Sequence, residues 1–433
     1  MSANPLSDRD AIRRLLNRLG LGTGPGQPAT SPGFEATLGA LLAPPAAETG
    51  PPAPAFTPTP RPGKGASPEA RKARNRESAA DGRELGVWWL DRMAGTTAPF
   101  PERMAWFWHT HFATSVKKVR DAAFMYQQND TFRRLGRGDF GELARALVTD
   151  PAMLIWLDGQ GNRVGRPNEN LAREFMELFT LGVGHYTETD VREAARALTG
   201  WRVDYTDGGS RLVPRAHDPG PETVLGRPAG YDAATLVDHL VAQPDSPRFL
   251  AGRVWTRFVS DTPPDPATTD RLVRAYGPGR DITAMVRAAV LDPAFRDPAS
   301  VLVKEPVLWL VGALRALRLT ASSVPEQALR AGLVGLGQVP FAPPDVGGWP
   351  AGARWLTTAS ALARLRLARQ LAGRGDISPV RTAAPADRIA ATAELLGLAA
   401  FTERTATALR PLAEDPEQLV TLAMASPEYA VSG

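Results

Sequence analysis

The sequence contains no cysteine. That removes disulfides, thiolate metal ligands and a cysteine nucleophile, and it leaves the redox compartment open. Long apolar runs are also missing, since nothing approaches the roughly 20 residues that cross a bilayer. AMLIWL at 152–157 and VLWLVGAL at 307–314 read instead as buried pieces of helices. The opening stretch MSANPLSDRDAIRRLLNRLG lacks the apolar segment and small-residue cleavage site of a signal peptide, so the default location is cytoplasmic. Charge of one sign never accumulates. Fifty Lys and Arg stand against 46 Asp and Glu, giving a net +4 with no basic block, which argues against a nucleic-acid surface. Gly-x-Ser-x-Gly, Walker A and His-Glu-x-x-His are absent, as is Gly-x-Gly-x-x-Gly between a strand and a helix.

Helical periodicity is what the chain does have. Its 433 residues, 43% of them hydrophobic, suffice for a large core. A short amphipathic helix over 7–19 turns Leu15, Leu16 and Leu19 inward, and a second covers 33–43. The segment 44–67 is dense in proline and reads as a flexible or polyproline-like linker or insert. From Pro68 the helical pattern runs almost to the end, with helices near 68–95, 101–113, 120–136, 139–149, 168–181, 188–199 and onward to 415–426. RLVP and TVLG, within 211–226, are the best strand candidates. The expected fold is all-α: a multi-helix globular domain of many short helices with little or no β. The helices of 1–43 should pack on a main domain over 68–433, with a sub-division suggested near 210–230.

The stretch NENLAREFMELFTLGVGHYTETDVREAARALTGW, 168–201, organises the chain. It reads as two helices joined by a glycine-containing turn. Asn168 is placed to cap the first, with Glu169 in its first turn. At about 100° per residue, Glu169, Asn170, Arg173, Glu174 and Glu177 fill one arc of roughly 140° on an otherwise apolar helix. Thr187 and Asp190 form a capping-box pattern at the start of the second helix. Trp201 reads as a core anchor. The arc is either a salt-bridged surface or a carboxylate set for a metal or for proton transfer, with Arg173 orienting it or clamping an anion.

All five histidines lie between 109 and 239. His109 and His111 sit in FWHTHF. If the helix continues through Phe112 they point about 200° apart and cannot share an ion; if it ends near Thr110 they can. Imidazole and carboxylate together suit Fe, Zn or Mn. His217 and Asp218 form a loop pair, HDPG, that is either functional or a turn. His185 reads as a helix-end residue and His239 as an ordinary one. The loop 337–366, rich in proline and tryptophan, is a structural strap or a ligand lid.

FWHTHF, DPAMLIWLD, PNENLAREFMELFTLGVGHYTETDVREAARALTGW, HDPGPETVLG, LVKEPVLWLVGALRAL and GQVPFAPPDVGGWP resemble a bacterial family known as domain-of-unknown-function family 1800. The likeness runs from LLNRLGLG onward, apart from the proline-rich insert. Its motif positions fall on His109, His111, Asn168, Glu169, Asn170, Arg173, Glu174, Glu177, Arg196, Trp201, His217 and Asp218. Arg14 stands where many relatives have histidine, and Glu222 where many have lysine, so neither should be essential here. The resemblance implies a partner: relatives are often encoded beside proteins like the alkaline-phosphatase/sulfatase superfamily and are frequently exported.

Two functions fit these readings. One is a metal-dependent enzyme, a hydrolase or oxidoreductase. His109, His111, Glu174 and Glu177 would hold a divalent ion (Fe, Zn or Mn), with Glu169, Asn170, Arg173, His217 and Asp218 as catalytic groups. The other is a non-catalytic helical partner or assembly factor for a phosphatase/sulfatase-like protein encoded nearby, exported with it if that protein is exported.

Overall fold

The computed structural model describes residues 4–23, 33–45, 50–60, 63 and 65–432. At its centre lies the helix Pro99–His111, all 13 of whose residues are buried. Two prolines in its first turn preset the backbone. Beyond them apolar side chains point in every direction, and a helix apolar all round must be surrounded by others. Helices Pro68–Gly95, Ala122–Leu135, Asp245–Phe258 and Pro306–Ala316 contribute to the same core cluster. Helices Asp8–Arg18 and Phe34–Leu42 join it through Leu15, Leu38 and Phe34.

The central helix also carries charge inward, and its carboxylate is matched, as burial requires. Glu102 accepts bonds from Arg92 (2.6 Å), Arg133 (2.5 Å) and the Trp89 indole (3.0 Å). Burial alone would raise its pKa; Arg133 and Arg92 outweigh that and hold it below the usual carboxylate range. The Trp106 indole donates to Glu305 (2.9 Å), which also pairs with Arg257 (2.7 Å). Other buried arginines finish helix ends. Arg315 donates to the carbonyls of Met93, Ala94 and Thr96, closing Pro68–Gly95. Arg18 reaches those of Val259 and Ser300. Arg14 is buried in the same way, against the carbonyls of Phe295 and Asp297.

Twenty-two α-helical segments occur among the described residues, with three two-stranded antiparallel sheets. Two of the sheets are hairpins, Trp201–Val203 with Ser210–Leu212 and Glu222–Val224 with Arg227–Ala229. They fall where RLVP and TVLG gave strand signals. The third pairs Leu302–Val303 with Val431–Ser432. Among the described residues no helix is long and apolar enough to cross a membrane.

The 337–355 loop is a strap. Trp349 stacks on Trp106 with ring centroids 5.4 Å apart, and Phe341 is buried. Gly348 has φ +80, and a Cβ there would lie 2.3 Å from the Thr110 carbonyl, so only glycine lets the strap close on the helix. The proline-rich residues 50–60 also lie against the body. The Pro51 carbonyl takes the Trp88 indole N–H (3.3 Å), and the Thr59 N–H donates to Asp121 (2.8 Å). The remainder of that stretch, 46–49, 61–62 and 64, lies outside the described residues.

Candidate functional site

The helix expected over 168–181 begins later and changes character. Asn170–Glu174 is α-helical, and Phe175–Thr180 is a π-helix, whose bonds run to the fifth residue. Asn168 therefore does not cap by standing at the helix boundary. Its side chain accepts from the Asn170 N–H (3.0 Å), and Glu169 takes the boundary position. The short polar side chain of Asn168 makes this local turn at less cost than another helical residue would. The Thr180 hydroxyl donates to the Phe175 carbonyl (2.7 Å) inside the wide turn. A π segment is uncommon and occurs often where side chains must be re-aimed at a functional surface.

The re-aiming leaves Leu171, Phe175, Met176 and Phe179 in the core, and Glu169, Asn170, Arg173, Glu174 and Glu177 half-buried on one face. Arg173 bridges Glu169 (3.0 Å) and Glu188 (2.7 Å). The Glu188 hydrogen bonds raise its pKa further, so it stays a cation. Glu177 accepts a short hydrogen bond from the Tyr186 hydroxyl. Burial, then Glu177, push the Tyr186 phenol up. Glu174 is raised by burial and by Glu177, against the pull of Arg173. These groups form a half-buried carboxylate pair with a phenol beside it.

His109 and His111 are elsewhere. The central helix stays helical through His111, so the two rings point to different neighbours. His109 Nε2 accepts the Phe341 N–H (3.1 Å) in a ring of Trp89, Trp106 and Trp349. His111 Nε2 bonds the Phe179 carbonyl (2.9 Å) and lies over Phe107. Burial lowers both imidazoles to about 3, and for His111 the nearby Arg253 adds to it. Both therefore stay neutral at ordinary pH. The structure does not bring His109, His111, Glu174 and Glu177 together. Among the described residues no group of three or more His, Cys, Asp or Glu is placed to hold a metal ion.

His217 and Asp218 dock against the end of the helix Glu188–Ala197. His217 Nδ1 faces the Thr199 carbonyl (3.1 Å), and the Asp218 N–H donates to the Thr199 hydroxyl (2.7 Å). Arg196 holds the Asp218 carboxylate at 3.1 Å, and that bond lowers the Asp218 pKa. Thr187 and Asp190 form the capping box, and Asp190 also accepts the Leu225 N–H (2.7 Å). Trp201 is half-buried in the first strand, packed against the core. His239 is buried with Nε2 on the Val224 carbonyl (2.9 Å); His185 faces Asp245 (3.2 Å). Glu222 is buried, raised by burial, and accepts the Tyr231 N–H (3.2 Å).

What joins the arc to the HDPG loop is a segment the sequence reading passed over. Asn162 is fully buried, and its side chain accepts the Asn168 N–H (2.9 Å) and donates to the Ala195 carbonyl (2.7 Å). Its carbonyl takes the Gly200 N–H (3.1 Å) and Arg202 (3.2 Å). Two residues on, the Val164 N–H reaches the Ala216 carbonyl (2.8 Å). Gly165, at φ +73, turns the chain so that Arg163 and Arg166 sit opposite each other in an antiparallel bridge. Directly opposed residues place their side chains on one face. The result is an open hollow of about 790 Å³, walled by Arg163, Arg166, Arg173, Asn168, Glu169 and Asn170. Arg163 and Arg166 are exposed and have no ion pair or side-chain hydrogen bond among the described residues. Arg163 further lowers the pKa of Arg202, which burial already lowers. The only sequence signal for this was the pair of arginines around a glycine, directly before PNEN.

The sequence profile of one family, described as "Protein of unknown function (DUF1800)", matches residues 14–431. No curated protein and no solved structure matches the chain.

Proposed function

The chain belongs to the DUF1800 family of proteins of unknown function, and from that premise we propose that it is a binding protein whose polar face recognises an acidic group on a partner protein. The observation that carries this is Arg163 and Arg166, exposed, opposed in a bridge and without an ion pair among the described residues, at an open hollow whose remaining arginine, Arg173, is fixed by two carboxylates. A guanidinium pair with no acid of its own suits a carboxylate or phosphate brought by another molecule. The hollow is too open to wrap a small substrate, which favours a protruding acidic side chain. The amides of Asn168 and Asn170 serve the site by holding its wall, donating to the carbonyls of Asp158 (3.4 Å) and Leu157 (3.2 Å). The partner class is the one the family resemblance implies, a phosphatase/sulfatase-superfamily-like protein encoded nearby, with which this chain would be exported if that protein is exported. Co-expression of the two, with Arg163→Ala/Arg166→Ala as the variant, tests this. Association should weaken by roughly ten-fold or more; unchanged association overturns the reading.

A second reading is favoured by one observation, the half-buried pair Glu174 and Glu177 with Tyr186 on a π-helix. Glu174, raised by burial, has the character of a general acid or base. If a divalent ion (Fe, Zn or Mn) is bound, these two carboxylates are the groups available to it, and His109 and His111 are not, being engaged in the core. Elemental analysis of tag-free protein reconstituted with each metal decides the matter. Stoichiometric metal that Glu174→Gln loses supports this version, and no metal removes it.

A further inference from the structure

The helices Pro68–Gly95 and Glu326–Leu336, the short helix Val116–Val119 and the start of the strap enclose a cleft of about 500 Å³. Small-molecule sites run from roughly 300 to 1,000 Å³ and are mostly apolar. The floor and walls here are Leu90, Val116, Leu329, Leu333, Val339 and Pro340. The rim is one-sided in charge: Arg83, Lys117, Arg120 and Arg330 line it with one carboxylate, Glu326. Arg83 pairs with Glu326 at 3.1 Å. Arg120 bonds neutral oxygens, those of Asn75 and Lys117, both at 3.3 Å. The side chains of Lys117 and Arg330 are exposed and have no ion pair or hydrogen bond among the described residues.

The backbone around the cleft is unusual in two ways. Gly86 is buried in the middle of the Pro68–Gly95 helix, where glycine weakens a helix relative to alanine. Packing does not demand it: an added Cβ would meet nothing nearer than Pro340 Cβ at 4.0 Å. Gly82, one turn earlier, is different, because a Cβ there would come within 3.1 Å of Val116. The absence of a side chain at 86 keeps the cleft empty. Arg120 (φ +56) and Phe341 (φ +60) flank it in the left-handed region. Such strain in bulky residues gathers at functional sites. Phe341 is fixed there from both sides, its N–H donating to His109 (3.1 Å) and its carbonyl accepting the Val116 N–H (2.8 Å).

We infer that this cleft binds a single-chain amphipathic anion. The apolar chain lies along Leu90, Leu329 and Leu333, and the acidic head, a carboxylate or phosphate, meets Lys117, Arg120 and Arg330. Charge complementarity at the rim selects the acid, and the apolar interior selects the chain.

Titration of the full-length protein with laurate, dodecyl phosphate and 1-dodecanol, each below its micellar concentration, tests the assignment. Saturable one-to-one binding of at least one acid is expected, and the tighter of the two identifies the head group. Gly86→Phe should weaken binding by roughly ten-fold or more, while Gly86→Ala leaves it within a few-fold. The surface variant Lys117→Ala/Arg120→Ala/Arg330→Ala, which disturbs no core contact, should weaken the acids by a similar factor and leave dodecanol unchanged. It decides the question even if Gly86→Phe does not fold. Absence of saturable acid binding by the wild type, or acid binding by the triple variant at wild-type strength, overturns the inference.

Discussion

His109 and His111 show what a buried titratable residue does when its partner is a backbone group. In the unfolded chain each imidazole takes a proton near its ordinary pKa of 6.5; in the folded protein burial delays this to about 3. Between those values the unfolded state binds more protons, so stability falls as pH falls through that window. The slope is about 1.4 kcal/mol per pH unit for each histidine. Replacing His111 with Gln should flatten the acid limb of a plot of melting temperature against pH; an unchanged limb would mean the ring titrates normally. Asp150 behaves in the opposite sense. It caps the helix Pro151–Trp156 from a buried position, and burial raises its pKa from 3.8 to about 7. The folded state holds that proton longer than the unfolded one does. The contribution is fully present below 3.8 and is lost as pH rises through about 7. The bonds to Asp150 from Met153 N–H (2.9 Å) and Gln128 (2.6 Å) go to one oxygen, Oδ1. An asparagine keeps that acceptor. Asp150→Asn should therefore be more stable than the wild type at about pH 8 and lose that advantage near pH 4. Equal differences at both pH values would contradict the argument.

At the level of elements, buried arginines and one π turn matter most. Arg315 serves three carbonyls at the end of Pro68–Gly95. Arg315→Met leaves them without that donor in a dry place, at a cost of about 2–5 kcal/mol by urea denaturation. A loss below about 0.5 kcal/mol would show that water replaces the guanidinium. Thr180→Val, which removes the hydroxyl inside the π turn, should cost about 1 kcal/mol. Most helices were legible because their apolar period and their caps agree, as with Thr187 and Asp190. The π segment was not, because it keeps large apolar residues at spacings that also suit an α-helix over one or two turns. The polar arc was legible as a set, Glu169, Asn170, Arg173, Glu174 and Glu177. Its isolation from His109 and His111 was not, because that depends on what packs around the central helix. Arg163 and Arg166 were not legible because their placement depends on a bridge at Gly165 and on Asn162, whose bonds reach Asn168, Ala195, Gly200 and Arg202.

For the whole molecule, the chemistry-bearing residues divide into an interior set and a surface set. Glu102, Glu305, His109 and His111 hold the aromatic centre together, and their loss should lower stability. Arg163 and Arg166 are surface groups whose loss should lower binding at constant stability. The described part of the proline-rich segment follows the Pro68–Gly95 helix, bonded to it through Trp88 and Arg74. The measurement that tests this division most directly is the affinity of the protein for the proposed phosphatase/sulfatase-like partner, read beside the melting temperature, for Arg163→Ala/Arg166→Ala and for His111→Gln. The account predicts that the arginine variant loses roughly ten-fold or more in affinity with its melting temperature unchanged, while the histidine variant melts earlier and binds normally. An arginine variant that binds like the wild type, with the histidine variant folded and unable to bind, would contradict it.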